Sequence, residues 1–174
     1  FYEKFSAAMR ALDRRHTLWL EPDATRNLML SSPLRDTLFP DDNVVYAPHL
    51  YPGLANVDAT TVEGWKAGLA ETFDALDDEA RSWGASPAIG EWGVRPDSDQ
   101  AAAYIRAIQE ITLERQVHEV FWLWKEESQG FWGFYNREPG PESWTPRTVA
   151  FERIATPYAM AVPGRLEQQL WEPE

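Results

Sequence analysis

The sequence predicts a parallel α/β fold, and two observations support that prediction. Four short apolar segments, at 17–20, 43–51, 87–93 and 117–124, alternate with stretches of helical periodicity. Each apolar segment ends in polar or aromatic side chains. Because the carboxyl ends of parallel strands meet at one edge of a sheet, where α/β folds place their functional residues, we expect one site there.

The composition is that of an acidic, globular chain. Its 174 residues are 44% hydrophobic, which is enough to bury a sizeable core. A formal net charge of −12 without a basic cluster disfavours nucleic acid and anionic membranes as partners, and no apolar run is long enough for a transmembrane segment. The absence of cysteine leaves the compartment undecided, although we favour a secreted protein. The three scattered histidines lack metal-ligand spacing, so we expect neither a metal nor an organic cofactor.

Nine tryptophans are the unusual feature of the composition. Indole rings cluster where a flat apolar surface must meet a ligand. Since the faces of sugar rings are such surfaces, the composition favours a carbohydrate ligand.

The first third of the chain divides into a helix, two strands and an irregular segment. Apolar side chains near a period of 3.6 predict an amphipathic helix over 1–12. Residues 26–39 are expected to be irregular, because serines and a proline interrupt them. In the strand at 43–51, a period of two places four side chains on one face, namely Val45, Ala47, His49 and Tyr51.

The rest of the chain continues the alternation. A helix is expected over 60–83, ended by Gly84, and a second from a cap at Ser98 or Asp99 to about residue 114. The buried stripe predicted for the second helix consists of Ala102, Ile105, Ile108, Ile111 and Thr112. A long loop over 125–144, a short helix over 148–154 and a last strand over 165–171 complete the prediction.

Glu91 is the strongest candidate for a catalytic residue. It ends a buried strand and lies between Gly90 and Gly93, which allow a ligand or another segment to come close. The other candidates follow the same strand-end rule; they are Glu21, His49, Tyr51, Trp122, Trp124 and Lys125. A carboxylate with histidine, tyrosine and tryptophan suits glycoside hydrolysis, which uses two carboxylates. Serine hydrolysis is disfavoured, because no Gly-x-Ser-x-Gly motif is present.

Four motifs together resemble the carboxyl-terminal half of a glycoside hydrolase family 5 barrel. They are the segment from Pro87 to Gly93, His49-Leu50-Tyr51, the segment from Phe121 to Lys125, and Gly130-Phe131-Trp132-Gly133. The resemblance implies a (β/α)8 TIM barrel in which Glu91 is the nucleophile at the end of strand seven. It further implies that Tyr51 hydrogen-bonds that carboxylate, that His49 holds a sugar hydroxyl and that Trp122 stacks beneath the sugar.

Strand counting decides how Glu21 fits this family. The acid/base of the family is a Glu in Asn-Glu-Pro at the end of strand four, and the matching tripeptide here is Leu20-Glu21-Pro22. Only one predicted strand lies between Glu21 and Glu91. In the family barrel, by contrast, two strands lie between strand four and strand seven. Glu21 is therefore assigned to strand five, and the acid/base is expected upstream of Phe1, in the missing amino-terminal half of the barrel.

The expected domains follow from the same count. Residues 1–155 would be strands five to eight of the barrel, and 156–174 the junction and first strand of a carboxyl-terminal β-sandwich, because the segment from Thr156 to Gly164 resembles that of endoglycoceramidases. The resemblance implies a retaining β-glycosidase acting on a glycosphingolipid or similar glycoside, with this chain inactive on its own. The alternatives are an endo-β-glucanase or mannanase of the same family, and a non-catalytic carbohydrate-binding half-barrel.

Overall fold

The computed structural model describes residues 1–23, 26, 41–51, 59–125, 132–140 and 143–155. Two predictions lie outside these residues: the irregular segment from residue 27 to 39, and the strand and β-sandwich junction over 156–174. The division into two domains therefore stays a prediction.

A parallel sheet forms the centre of the molecule. It contains β1 (Leu18–Leu20), β2 (Val44–Tyr46), β3 (His49–Leu50), β4 (Ser86–Trp92) and β5 (His118–Phe121). The first strand pairs with β2, both β2 and β3 pair with β4, and β5 pairs with the opposite side of β4. All these pairings are parallel, which confirms the predicted fold class.

The strand predicted over 43–51 is interrupted, which corrects the expectation of one continuous element. Its two parts, β2 and β3, pair with successive stretches of β4, and the break falls at Ala47-Pro48. Proline has no N–H to donate to a ladder. The Pro48 carbonyl still accepts a hydrogen bond from the Gly90 N–H at 2.9 Å, so the broken strand stays attached to β4.

A β-bulge in β4 determines which side chains face the helices. Ile89 pairs with Glu119 and Trp92 with Phe121, so three steps along β4 match two along β5. As a result Ile89 and Trp92 both join the buried core, while Glu91 is released toward the opposite face. We call that opposite face the inner face.

Helices pack on the other side of the sheet, where their buried side chains join those of the strands in one core. Helix α1 (Tyr2–Leu12) opens the chain, and α2 (Val62–Trp83) begins at the cap Thr61, whose hydroxyl accepts a hydrogen bond from the Gly64 N–H. Helix α2 ends at Gly84 with φ of 69°, a left-handed conformation that favours glycine. Both ends of α2 agree with the sequence prediction.

Helix α3 (Ala101–Arg115) corrects two predictions. Its cap is Gln100 without a side-chain bond, not Ser98 or Asp99. Ala102 is exposed, whereas Tyr104 is fully buried and packs edge-on against Trp65 of α2. The predicted stripe is confirmed at Ile105, Ile108, Ile111 and Thr112 and is wrong at Ala102.

A hairpin follows the sheet where a long loop was predicted. Strands β6 (Tyr135–Arg137) and β7 (Trp144–Pro146) pair antiparallel, and α4 (Thr148–Ile154) matches its predicted helix. Within the described part of the chain, no helix is long and apolar enough to span a membrane.

Candidate active site

Glu91 lies at the carboxyl end of β4, directly opposite His49 in the strand register. Its side chain is 21% exposed, so it is partly shielded yet reachable from solvent. Gly90 makes this arrangement possible, because a Cβ at that position would collide with the carbonyl oxygen of Ala47. The absence of a side chain lets the broken strand approach β4 closely enough to place His49 beside Glu91.

The Tyr51 hydroxyl donates a short hydrogen bond to Oε1 of Glu91. Burial, followed by this bond and the charge of the carboxylate, raises the pKa of Tyr51 above its ordinary value. The phenol therefore stays protonated at neutral pH and remains a donor to Glu91.

His49 lies between two carboxylates. Its Nδ1 is 3.6 Å from Oε1 of Glu91, and its Nε2 is 3.2 Å from Oε1 of Glu21. Glu21 is 47% exposed and directly follows β1. In the sheet, β1 pairs with β2, the first part of the broken strand whose second part, β3, carries His49. The structure thus brings four of the predicted residues into one connected group, namely Glu21, His49, Tyr51 and Glu91.

Trp122 joins the edge of this group through the backbone. Its N–H donates to the Trp92 carbonyl at 2.7 Å, and its own carbonyl would lie 2.7 Å from a Cβ at Gly93. The Trp122 side chain is 45% exposed. An exposed indole just beyond the end of β5 is available to a ligand.

Trp124 and Lys125 contact the hairpin of β6 and β7 and helix α4. The Trp124 ring packs with three aromatic rings of the hairpin region, those of Phe134, Tyr135 and Phe151. The Lys125 ammonium lies 4.9 Å from the centre of the Trp144 ring. These contacts connect both residues to the hairpin, and their predicted role in substrate binding stays a prediction.

Two residues with contacts at the site were not among the predicted site residues. Trp132 packs edge-on against Tyr51, with ring centres 5.8 Å apart. Glu119 accepts a short hydrogen bond from the indole N–H of Trp92, the neighbour of Glu91. The Gly-Phe-Trp-Gly motif drew attention to Trp132 only through the resemblance, and no sequence signal separates Glu119 from a surface glutamate.

No cluster of three or more His, Asp or Glu side chains suited to a metal ion occurs among the described residues. The described side chains place a carboxylate beside a phenol that donates to it and an imidazole 3.6 Å away. Such a group can act as a nucleophile or accept a hydrogen bond from a sugar hydroxyl.

A parallel sheet with a carboxylate, histidine and tyrosine at its carboxyl edge is the arrangement of a barrel glycoside hydrolase. The model of the cellulase family, glycosyl hydrolase family 5, matches residues 1–128, and the chain belongs to that family. The sheet and its helices are accordingly part of a (β/α)8 barrel. No curated protein matches the chain.

Solved structures show the same fold. The endo-glycoceramidase II of Rhodococcus sp., as a lactosyl-enzyme intermediate, aligns with a TM-score of 0.62 and 24% identity over 78% of this chain and 30% of that one. The complex of the same enzyme with a cellobiose-like imidazole aligns with a TM-score of 0.57 and 23% identity, over 78% of this chain and 31% of that one. An endoglucanase from Pseudomonas stutzeri aligns with a TM-score of 0.54 and 16% identity, over 70% of this chain and 41% of that one. The chain thus spans between 30% and 41% of the length of these matched chains.

Proposed function

We propose that this chain supplies the nucleophile side of a retaining β-glycosidase site, with Glu91 as the nucleophile. The observation that supports this most directly is the hydrogen bond from the Tyr51 hydroxyl to Oε1 of Glu91, with the His49 imidazole 3.6 Å from the same oxygen. A donor on one oxygen orients the carboxylate so that the other oxygen can attack a sugar carbon. The lactosyl-enzyme intermediate of the Rhodococcus enzyme gives a covalent precedent within the same fold.

The acid/base is assigned to another part of the barrel, upstream of Phe1. In the described sheet, β1, which ends just before Glu21, pairs with β2, the first part of the broken strand. Both parts of that strand, β2 and the His49 strand β3, pair with β4, the strand of Glu91. A single intervening strand agrees with strands five and seven and disagrees with strands four and seven. Glu21 would then act on His49, holding its Nε2 while Nδ1 faces Glu91.

The substrate class we propose is a glycosphingolipid or similar β-glycoside, because one of the two structural relatives above, the one with the higher TM-scores, is an endo-glycoceramidase. Assays of the full-length protein against gangliosides, glucosylceramide, cellulose and mannan distinguish the candidates. Activity on the polysaccharides alone would replace the glycolipid by a glucan or mannan. Binding without turnover on every substrate would favour the non-catalytic alternative.

Glu91→Gln in the full-length protein tests the role of the carboxylate. We expect a loss of at least about a thousandfold in kcat with little change in substrate binding, because the variant keeps the side-chain volume but cannot form the glycosyl-enzyme bond.

The matched control is Glu21→Gln, which removes the second carboxylate beside His49. We expect its effect to be smaller and independent of the leaving group. If Glu21→Gln instead abolishes turnover of poor leaving groups and spares activated aryl glycosides, Glu21 is the general acid and our strand assignment is wrong.

A further inference from the structure

We propose that Trp132 is a positioning residue that holds the Tyr51 hydroxyl on Glu91. The proposal rests on the function proposed above and adds a residue to the nucleophile side of the site. Trp132 acts through Tyr51, because its ring packs edge-on against that tyrosine.

The first observation is the packing around the Tyr51 ring. The Trp132 ring lies edge-on to it, at 5.8 Å between centres and 81° between planes. A Cβ at Gly93 would be 3.3 Å from Cε1 of Tyr51 and 3.4 Å from Cε3 of Trp132. Because Gly93 has no side chain, the Tyr51 and Trp132 rings can pack against each other just after the end of β4. With Trp132 and the Gly93 backbone against its ring, the hydroxyl of Tyr51 is directed to Glu91.

The second observation is that the residues after Trp132 pack against, and hydrogen-bond to, the segment that follows β5. A Cβ at Gly133 would lie 3.0 Å from the Leu123 carbonyl oxygen and 3.1 Å from that of Trp124. The next residue, Phe134, donates its N–H to Trp124 at 3.0 Å and accepts from the Arg147 N–H at 2.7 Å. The backbone that follows Trp132 therefore contacts both the segment after β5, at Leu123 and Trp124, and Arg147 before α4. These contacts hold the Trp132 ring against Tyr51.

The consequence follows from the geometry of a phenol. Tyrosine has two side-chain torsions, and packing on its ring must hold them for the hydroxyl to stay on one carboxylate oxygen. Without the Trp132 ring, the Tyr51 hydroxyl would sample positions away from Glu91. The carboxylate would then lose a donor that orients it, while the sugar-binding groups would be unchanged.

A double-mutant cycle in the full-length protein tests this coupling. We expect Trp132→Leu to lower kcat by about ten- to a hundredfold with KM nearly unchanged, and Trp132→Phe to recover most of the loss because it keeps an aromatic edge. In a Tyr51→Phe background, Trp132→Leu should cost less than about threefold, since the hydroxyl that it positions is already absent.

The control is Trp83→Leu, which removes the same residue type from a similar edge contact, 4.9 Å from the ring centre of Tyr46. Both leucine variants should lower the thermal midpoint, but Trp83→Leu should leave kcat of the folded enzyme within about twofold. An equal loss of kcat from Trp132→Leu in both Tyr51 backgrounds, or a loss confined to KM, would show that Trp132 acts on the substrate or on stability alone.

A spectroscopic measurement keeps the inference separate from the proposed function. In protein labelled with 3-fluorotyrosine, the fluorine resonance of Tyr51 is identified by its absence in Tyr51→Phe and then titrated with pH. Trp132→Leu should lower the pKa of Tyr51 toward that of an ordinary fluorotyrosine, and Trp83→Leu should not. An unchanged titration would overturn the positioning role even if the protein hydrolyses nothing, whereas a shifted one would support it.

Discussion

At the scale of single residues, neighbouring strands hold carboxylates in contrasting surroundings. Glu91 is on the inner face with a phenol and an imidazole beside it. Glu119 lies toward the helices, where burial raises its pKa and the hydrogen bond from the Trp92 indole acts in the opposite direction. Burial opposes charge on a carboxylate, so the two residues are suited to different tasks: Glu91 to chemistry and Glu119 to holding Trp92.

The raised pKa of Glu119 leads to a stability prediction. A folded pKa above the unfolded value means that the stabilising contribution is fully present below about pH 4.5 and is lost as the pH rises through the folded pKa. Glu119→Gln keeps an acceptor for the indole and removes the buried charge. Urea unfolding at pH 7 should therefore give a higher free energy of unfolding for the variant, with a flatter dependence between pH 4 and 7.

Glu110→Gln is the opposite control. Partial burial acts to raise the pKa of Glu110, but bonds from Arg106 and Lys66 outweigh it, and the pKa is lowered. Its contribution is present above about pH 4.5, so Glu110→Gln should lose about half a kcal/mol or less at pH 7. A Glu119→Gln protein that is less stable than the wild type at pH 7 would contradict our account of Glu119.

Sequence reasoning reached some of these residues and missed others for a physical reason. Glu91, His49 and Tyr51 follow from strand-end position and period-two alternation, which are local properties. Trp132 comes to Tyr51 through contacts between segments far apart in sequence, and the bulge in β4 places Trp92 on the helix side beside Glu119. Neither a non-local contact nor a one-residue bulge leaves a clear trace in a single sequence.

At the scale of elements, the site depends on how closely the broken strand β2–β3 approaches β4. The strand break at Ala47-Pro48 was not predicted. The hairpin of β6 and β7 was missed because each strand has only three residues and the segment is rich in glycine and proline. The long helix α2 was predicted nearly to the residue, since its cap, periodicity and terminal glycine agree.

Gly90→Ala tests the close approach of these elements. The added methyl group would meet the Ala47 carbonyl oxygen, so we expect a loss of about 1–3 kcal/mol in unfolding free energy and a reduced kcat as His49 moves from Glu91. Chemical denaturation and steady-state kinetics measure the two effects.

Gly64→Ala is the matched control, because it makes the same change in the first turns of α2. Its nearest atoms would be side-chain atoms at 3.1 Å, and alanine is the better helix former, so stability should change by no more than about 1 kcal/mol. Equal tolerance of alanine at both glycines would contradict the proposed role of Gly90.

At the scale of the whole molecule, the inner face is the surface that needs a partner. It exposes large apolar side chains, with Trp19 at 48%, Val120 at 47% and Trp122 at 45%. Among the described strands, β1 pairs with β2 alone and β5 with β4 alone, so each has an edge available for pairing. In a closed barrel, further strands cover both edges and the inner face.

The chain of 174 residues produced alone should therefore self-associate and should not hydrolyse glycosides. Exposed edges and an apolar inner face favour association. If the general acid belongs to another part of the barrel, as we propose, its loss lowers the rate by about a hundred- to ten-thousandfold. Sedimentation velocity and a chromogenic glycoside assay measure both properties. A compact, active monomer would contradict the assignment of the acid/base to another part of the barrel.

The central claim is that Glu91 is the nucleophile, and covalent labelling tests it most directly. The full-length protein would be treated with a 2-deoxy-2-fluoro-β-glycoside bearing an activated leaving group, digested, and analysed by peptide mass spectrometry. We predict that the fluoroglycosyl group is found on Glu91 and that Glu91→Gln is not labelled. Label on Glu21, or an active enzyme that never becomes labelled, would contradict the account.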